Sequence, residues 1–330
     1  MDRKVLTQIS SRAWEHPADR AALNTLRAIP GFDEVVRKVA GALGDTAIRQ
    51  IFLANAVRVG PKQWPKLDSL YDEVLATMDW PTRHELYVTQ TPIVNAAAVG
   101  FDKPFIILNS ATLKLLDREE QRDIVGHELG HIMSGHVVYS TLAIIILTVG
   151  ITNLPFLAGM ALLPFQLALL EWYRKAEFSS DRAGLLTTQD TTPSYMTFLK
   201  MAGGTPVNDK GEVIDTIDLQ AFVEQASEYE TQGNAWDRVW KILNTALRDH
   251  PFHTVRVAEL QRWVQSGEYQ RILDGQYLRR GDEGTKPLGD DYVEAAGYYG
   301  SEVQNITREA KDVLNKARDR FNEAFRKRGA

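Results

Sequence analysis

Cysteine is absent from the 330-residue chain. That removes disulfides, thiolate metal sites and cysteine nucleophiles together, so any metal must be held by histidine and carboxylate. An excess of basic charge is absent too. The net charge of −5 excludes the broad positive footprint of a nucleic-acid binder. The opening residues, MDRKVLTQISSRAWEHPADR, contain no apolar h-region and no small-residue cleavage site. No signal peptide is expected, and the expected location is the cytoplasm. No internal repeat is visible. What is present is ordinary: 44% hydrophobic and 25% charged residues suit a globular chain that buries a sizeable core.

Charge is missing from one stretch in particular. The 34 residues from Val137 to Leu170 contain no Asp, Glu, Lys, Arg or His, long enough by length alone for a spanning helix. Elsewhere the patterns alternate between classes. Residues 1–48 read as helical with a break at Ile29-Pro30-Gly31, and 51–59 and 84–90 read as strands. Residues 91–110 suggest two further strands around Gly100 to Pro104. The segment 111–136 reads as two helices, the second starting at Arg118 because Asp117 and Glu120 form a capping pattern. Helices are expected again over 171–186, 218–230, 236–248 and 254–265, with a loop over 203–217. The last 30 residues carry Val303, Ile306, Ala310, Val313, Ala317, Phe321 and Ala324 at spacings of three and four. That is an amphipathic helix, able to pack on the body or to self-associate through 301–328.

The chemistry-bearing residues are His127-Glu128-Leu129-Gly130-His131. Positions i and i+4 share a helix face, so both imidazoles can reach one metal ion, and Glu128 can reach a water at that metal. This is the arrangement for zinc-assisted peptide hydrolysis, with one Zn2+ per chain expected. Gly126, Gly130 and Gly135 lower helix propensity and make sense where something packs close to the backbone. A catalytic zinc takes three protein ligands and one open position. Glu177 and Asp181, four apart on one helix face, are candidates: Glu177 as third ligand, Asp181 as acceptor from the ring N–H of a ligand histidine. The competing reading of that segment is a charged surface helix with pairs such as Arg174–Glu177. His136 and His253 read as structural.

HELGH, then R-x-x-E-x-x-x-D, then H-P-x-x-x-x-R, in this order over about residues 85–262, resembles the HtpX-like zinc metallopeptidases, relatives of the CAAX prenyl protease type 1 enzymes within the gluzincin group. The resemblance implies that His127, His131 and Glu177 bind zinc, that Glu128 is the general base and that Asp181 supports a ligand histidine. It also implies that His250 and Arg256 face the active site, donating to the oxyanion or, for His250, occupying the open zinc position. Asn95, Ala96 and Ala97 resemble the strand before the catalytic helix, whose edge can pair with an extended substrate. The implied fold is α+β and mainly helical, a zincin-like (gluzincin) metallopeptidase with a small mixed sheet and an apolar helical hairpin.

If His131 and Glu177 meet at one ion, the chain between them must leave and return. A single membrane crossing is then excluded. Gly150, Asn153, Pro155 and Gly159 break the stretch into a hairpin, about 137–150 and 156–176. An arm of about 16 residues reaches roughly 24 Å, short of a roughly 30 Å hydrocarbon core. The hairpin therefore either dips into one leaflet at the inner face of the membrane or packs inside the protein, and the two zinc helices are expected to run on into it. The expected division is an N-terminal helical segment over 1–50, a metallopeptidase domain over 51–265 with the apolar hairpin at 137–170, and a C-terminal segment over 266–330. The expected activity is zinc-dependent endoproteolysis of a polypeptide substrate, on membrane-proximal or misfolded proteins. The alternative is a zinc-retaining, membrane-associated scaffold or chaperone with a plugged site, and a third reading is hydrolysis of a non-peptide amide.

Overall fold

The computed structural model describes residues 3–27, 32–143, 145, 156–205, 215–231 and 252–282. The helices are α1 (Pro17–Arg27), α2 (Phe32–Asn55), α3 (Pro65–Thr77), α4 (Ser110–Leu115), α5 (Arg118–Met133), α6 (described over 137–143), α7 (Phe156–Thr188), α8 (Thr191–Gly203), α9 (Leu219–Thr231), α10 (His253–Gln265) and α11 (Glu268–Leu273). The strands are β1 (Ala56–Arg58), β2 (Leu86–Thr89), β3 (Ala96–Val99) and β4 (Phe105–Asn109). They form one mixed sheet in the order β1-β2-β4-β3. β2 and β4 are parallel, while β1 and β3 run antiparallel to β2 and β4 respectively. The mainly helical composition with a small mixed sheet matches the expected class.

One expected strand is shorter than the pattern suggested. Residues 51–55 belong to α2, and only Ala56–Arg58 is extended. The reason lies in the spacing of the packed face. Ile48, Phe52 and Ala56 rest on the cluster of Tyr87, Val99, Phe105 and Ile107, which is helical i, i+4, i+8 spacing rather than the period of two of a strand. Ile51 and Leu53 between them are exposed.

The main hydrophobic core joins the sheet to α5 and continues through both ends of the described chain. Leu6, Ile9 and Trp14 lie in the same cluster as Val88, Ile106, Val125 and Leu129, and as Trp263, Tyr269 and Ile272. α5 starts at the expected capping box: Asp117 accepts from the Glu119 and Glu120 backbone N–H groups, and Glu120 accepts from the Asp117 N–H. From Glu120 to Ile132 all its residues but Gln121 are buried. The helix is therefore enclosed on every side, by the sheet on one and by α7 on another.

The α5–α7 seam is unusually close. A Cβ on Gly126 would lie 2.2 Å from Thr187 Oγ1, and one on Gly130 would lie 2.5 Å from Ala183 Cβ. On the opposite helix, a Cβ on Gly184 would meet the Asp123 carbonyl and carboxylate at 2.9 Å. Thr187 Oγ1 crosses the seam to donate to the Arg122 carbonyl (3.2 Å). Gly126 and Gly130, just before and within the H-E-x-x-H motif, thus serve close approach, as their cost in helix propensity implied. Gly135 does something else: nothing lies near its Cβ position, and its φ is +68°. It ends the helix in a Schellman motif, with Gly135 N–H donating to the Ile132 carbonyl (3.1 Å) and His136 N–H to the His131 carbonyl (2.9 Å).

That turn corrects one expectation. α5 does not run on into the apolar stretch; the chain reverses at Gly135 and a separate helix begins at residue 137. α7 does run unbroken from the apolar stretch into the motif region, Phe156–Thr188. The apex of the expected hairpin, 146–155, lies outside the described residues, as do the expected helices at 236–248 and 301–328. Among the described residues no helix is long and apolar enough to cross a membrane.

Gly130→Ala should destabilise the fold by about 1–3 kcal/mol through overpacking at the seam. Ala183→Gly removes the atom that the new Cβ strikes, so the double variant should recover much of that loss. Denaturant unfolding of the three variants checks this, and a double variant no more stable than Gly130→Ala alone would contradict it.

Candidate metal centre

Three buried side chains converge where α5 faces α7. His127 and His131 project from one face of α5, and Glu177 comes from α7. His127 Nε2 lies 3.2 Å from His131 Nε2. Glu177 places one carboxylate oxygen 3.6 Å from His127 Nε2 and the other 3.3 Å from His131 Nε2. One ligand atom from each of the three lies within 4.8 Å of the others. Two imidazole nitrogens and a carboxylate, drawn together out of water, form a donor set suited to a divalent cation of borderline softness. The residues fit the metal that the motif implies. Glu128 is buried on α5 between the two histidines in sequence.

Asp181, one turn on from Glu177, is where the sequence expects support for a ligand histidine: its Oδ1 lies 2.9 Å from His127 Nδ1. Arg256, from the first turn of α10, closes the group. Its Nε donates to Asp181 Oδ2 (2.9 Å), its Nη2 contacts Asp181 Oδ1, and Nη2 also lies 3.3 Å from Glu177 Oε2. The guanidinium stacks on the Phe198 ring at 4.8 Å. The charged-surface reading of Glu177 is thereby excluded, because Glu177 and Asp181 are both buried and turned inward, while Arg174 pairs with Glu171. His250 lies outside the described residues.

The electrostatics follow from burial and pairing. Burial raises the Asp181 carboxyl, but the Arg256 charge and hydrogen bond, together with His127, outweigh it and hold Asp181 below the usual carboxylate range. Burial draws the His127 imidazole down, but its bond to Asp181 and the nearby carboxylates hold it above the usual range. His131 is pulled down to about 4, by burial first and by the neighbouring histidines as well.

Two arms of this site were not expected. Asp123, one turn before His127, is buried and accepts from Ser194 Oγ. The second arm stands behind His131. His131 Nδ1 lies 3.2 Å from His136 Nδ1, and His136 Nε2 lies 2.9 Å from Asp19 Oδ2 on α1. Asp19 also accepts from Ser179 Oγ (2.6 Å) and Trp172 Nε1 (3.0 Å), both on α7. Gly135, four residues after the second motif histidine, was the available signal for the first half of this arm. Asp19 had none, because it lies more than a hundred residues away in sequence.

Asn95, Ala96 and Ala97 lie at and just before an edge strand. β3 pairs with β4 and packs on α5, and no other described strand lies on its outer side. Asn95 is fastened to α4, its N–H donating to Thr112 Oγ1 (2.8 Å) and its carbonyl accepting from the same hydroxyl (2.7 Å).

Comparison with known proteins agrees with this geometry. The profile of "Peptidase family M48" matches residues 61–264. The chain is 32% identical over 264 residues to "Plastoglobule-localized metallopeptidase 48, chloroplastic" of Arabidopsis thaliana, covering 79% of this chain and 74% of that protein. It is 26% identical over 190 residues to "Protease HtpX homolog" of Helicobacter acinonychis (strain Sheeba), covering 49% of this chain and 61% of that one. The HtpX homologue of Helicobacter pylori (strain J99) is 27% identical over 181 residues, and the match covers 58% of its length. The chain thus spans about three fifths of these HtpX homologues. No solved structure matches it.

Asp123 generates a prediction. Burial, reinforced by the Asp181 charge, pushes its carboxyl up to about 7. An unfolded chain releases that proton near pH 4, so between these values the folded state binds the extra proton and stability falls as pH rises. Relative to Asp123→Asn, wild type should lose melting temperature between about pH 5 and pH 7 and level off above. Parallel calorimetric profiles for the two proteins would contradict this.

Proposed function

The chain belongs to peptidase family M48, and we propose that it is a zinc-dependent endopeptidase with Glu128 as general base. The observation that carries this reading is the convergence of His127, His131 and Glu177 within 4.8 Å on two buried helices. These three side chains would hold the zinc and leave one position open. When bound, the metal supplies Lewis-acid polarisation of the scissile carbonyl and lowers the pKa of water at the site.

The remaining steps belong to the chain's own residues. Glu128, next in sequence to the first ligand, takes a proton from the attacking water and passes it to the leaving amine. Asp181 keeps the His127 ring in the tautomer whose Nε2 faces the metal. Arg256 balances the charge of Asp181 and Glu177 and fixes their orientation. Oxyanion stabilisation, which the resemblance gives to His250 or Arg256, falls to His250 in this reading, because Arg256 is already committed to the two carboxylates. The substrate is a polypeptide presented in extended form along the outer edge of β3, with Ala96 and Ala97 supplying backbone partners. Presentation at a lipid surface is supported by the charge-free run 137–170 and by the plastoglobule location in the name of the Arabidopsis relative.

Metal content by mass spectrometry, with casein cleavage on the same samples, tests this reading. Wild type and Glu128→Gln should each hold about one zinc per chain, and His131→Ala should hold none. Cleavage should vanish in His131→Ala and fall below about 1% in Glu128→Gln, the loss that removal of a general base brings. Zinc without cleavage in wild type would favour a scaffold, and full turnover in Glu128→Gln would refute the assigned base.

A further inference from the structure

We propose that His136 and Asp19 are positioning residues for the metal ligand His131, which makes α1 part of the support of the metal centre. The proposal rests on the reading of His127, His131 and Glu177 as ligands. The region matched by the family profile begins at residue 61, so Asp19 lies outside it.

The proton assignment leads there step by step. His131 Nε2 faces His127 Nε2 at 3.2 Å and Glu177 Oε1 at 3.3 Å. As a ligand atom it presents a lone pair, so the ring proton sits on Nδ1. That Nδ1 lies 3.2 Å from His136 Nδ1, which must therefore accept and carry its own proton on Nε2. His136 Nε2 in turn lies 2.9 Å from Asp19 Oδ2. One assignment of protons satisfies every pair, and it runs from a carboxylate through one imidazole to the ligand imidazole. His127 has the same support without the intermediary, since Asp181 reaches its Nδ1 directly at 2.9 Å.

The backbone is shaped to allow this contact. On a straight helix, residues five apart point about 140° away from one another. The positive φ of Gly135 and the bond from His136 N–H to the His131 carbonyl (2.9 Å) turn the chain back, which sets the His136 ring against the His131 ring with centroids 5.3 Å apart. The far end is equally anchored. Ser179 and Trp172 hold Asp19 from α7, the helix that also carries Glu177. These two bonds tie α1 to α7 without His136, so docking of α1 does not require the histidine.

Zinc affinity of the full chain, measured by competition with a chromophoric chelator, tests the proposal alongside absorption spectra of the cobalt-loaded protein. Asp19→Asn and His136→Leu should lower zinc affinity by about 10–100-fold and shift the cobalt ligand-field bands. His136→Asn, whose amide oxygen can accept from His131 Nδ1, should recover part of the loss. Ser179→Ala, which weakens the tie of Asp19 to α7 but spares the His136–Asp19 bond, should lower the stability of the metal-free protein with far less effect on affinity. Wild-type affinity and spectra in both Asp19→Asn and His136→Leu would overturn the proposal and leave the ligand assignment standing. Affinity losses that merely track metal-free stability, Ser179→Ala included, would also overturn it. No zinc in wild type would instead overturn the ligand assignment, and the proposal with it. If His136→Leu does not fold, Asp19→Asn and His136→Asn carry the comparison.

Discussion

The close contact of α5 with α7 is the constraint on which the rest of the structure depends. His127 and His131 sit on one helix and Glu177 on the other, so the three side chains converge only where the two backbones approach within reach of short side chains. Gly126 and Gly130 on α5, facing Thr187 and Ala183 on α7, and Gly184 on α7, facing Asp123, make that approach possible. Each glycine lowers the intrinsic helix stability of α5. Burial of nearly all of the helix between the sheet and α7 offsets that cost, since most helical stability in proteins comes from tertiary packing.

The same closeness draws charge out of water. Glu128, Glu177, Asp181 and Asp123 are all buried near two histidines, and isolated buried carboxylates are costly. The structure distributes that cost by partner. Arg256 takes Asp181 and lies beside Glu177, His127 takes Asp181 from the other side, and Ser194 bonds Asp123. Burial pushes the Asp123 carboxyl up to about 7, whereas the directly bonded Arg256 guanidinium holds Asp181 below the usual carboxylate range despite its burial. A cation among His127, His131 and Glu177 would complete the balance.

Much of this was legible in the residues. The capping box at Asp117 placed the start of α5. The i, i+4 spacing placed both histidines on one face of α5, and the Glu177–Asp181 spacing placed both carboxylates on one face of α7. β2, β3 and β4 fall where their short apolar runs predict. Other parts were harder to read. Ile51–Asn55 pointed to a strand because the run is apolar, while its helical spacing shows only against the Tyr87–Phe105 cluster it packs on. α3 and α8 fall outside the expected elements, although Pro65 in the first turn of α3 and the spacing of Leu67, Leu70, Tyr71 and Val74 are helix signals. His136 read as a structural histidine because the effect of Gly135 is to rotate it back onto His131, and a turn with positive φ is not visible in a spacing rule.

By itself the sequence determined the local items: which helix begins where, which residues share its face, and that a metal here must be bound by nitrogen and oxygen, since no sulfur ligand from cysteine exists. Those follow from properties that extend over a few residues, such as capping, periodicity and donor chemistry. Only the tertiary structure decided which distant groups stand behind the two motif histidines. Asp19 reaches His131 through His136, and Arg256 reaches His127 through Asp181, each pair more than a hundred residues apart end to end. No local pattern encodes such a pairing, because it is set by how α1 and α10 dock on α7, and docking is governed by the shape and burial of whole helix faces.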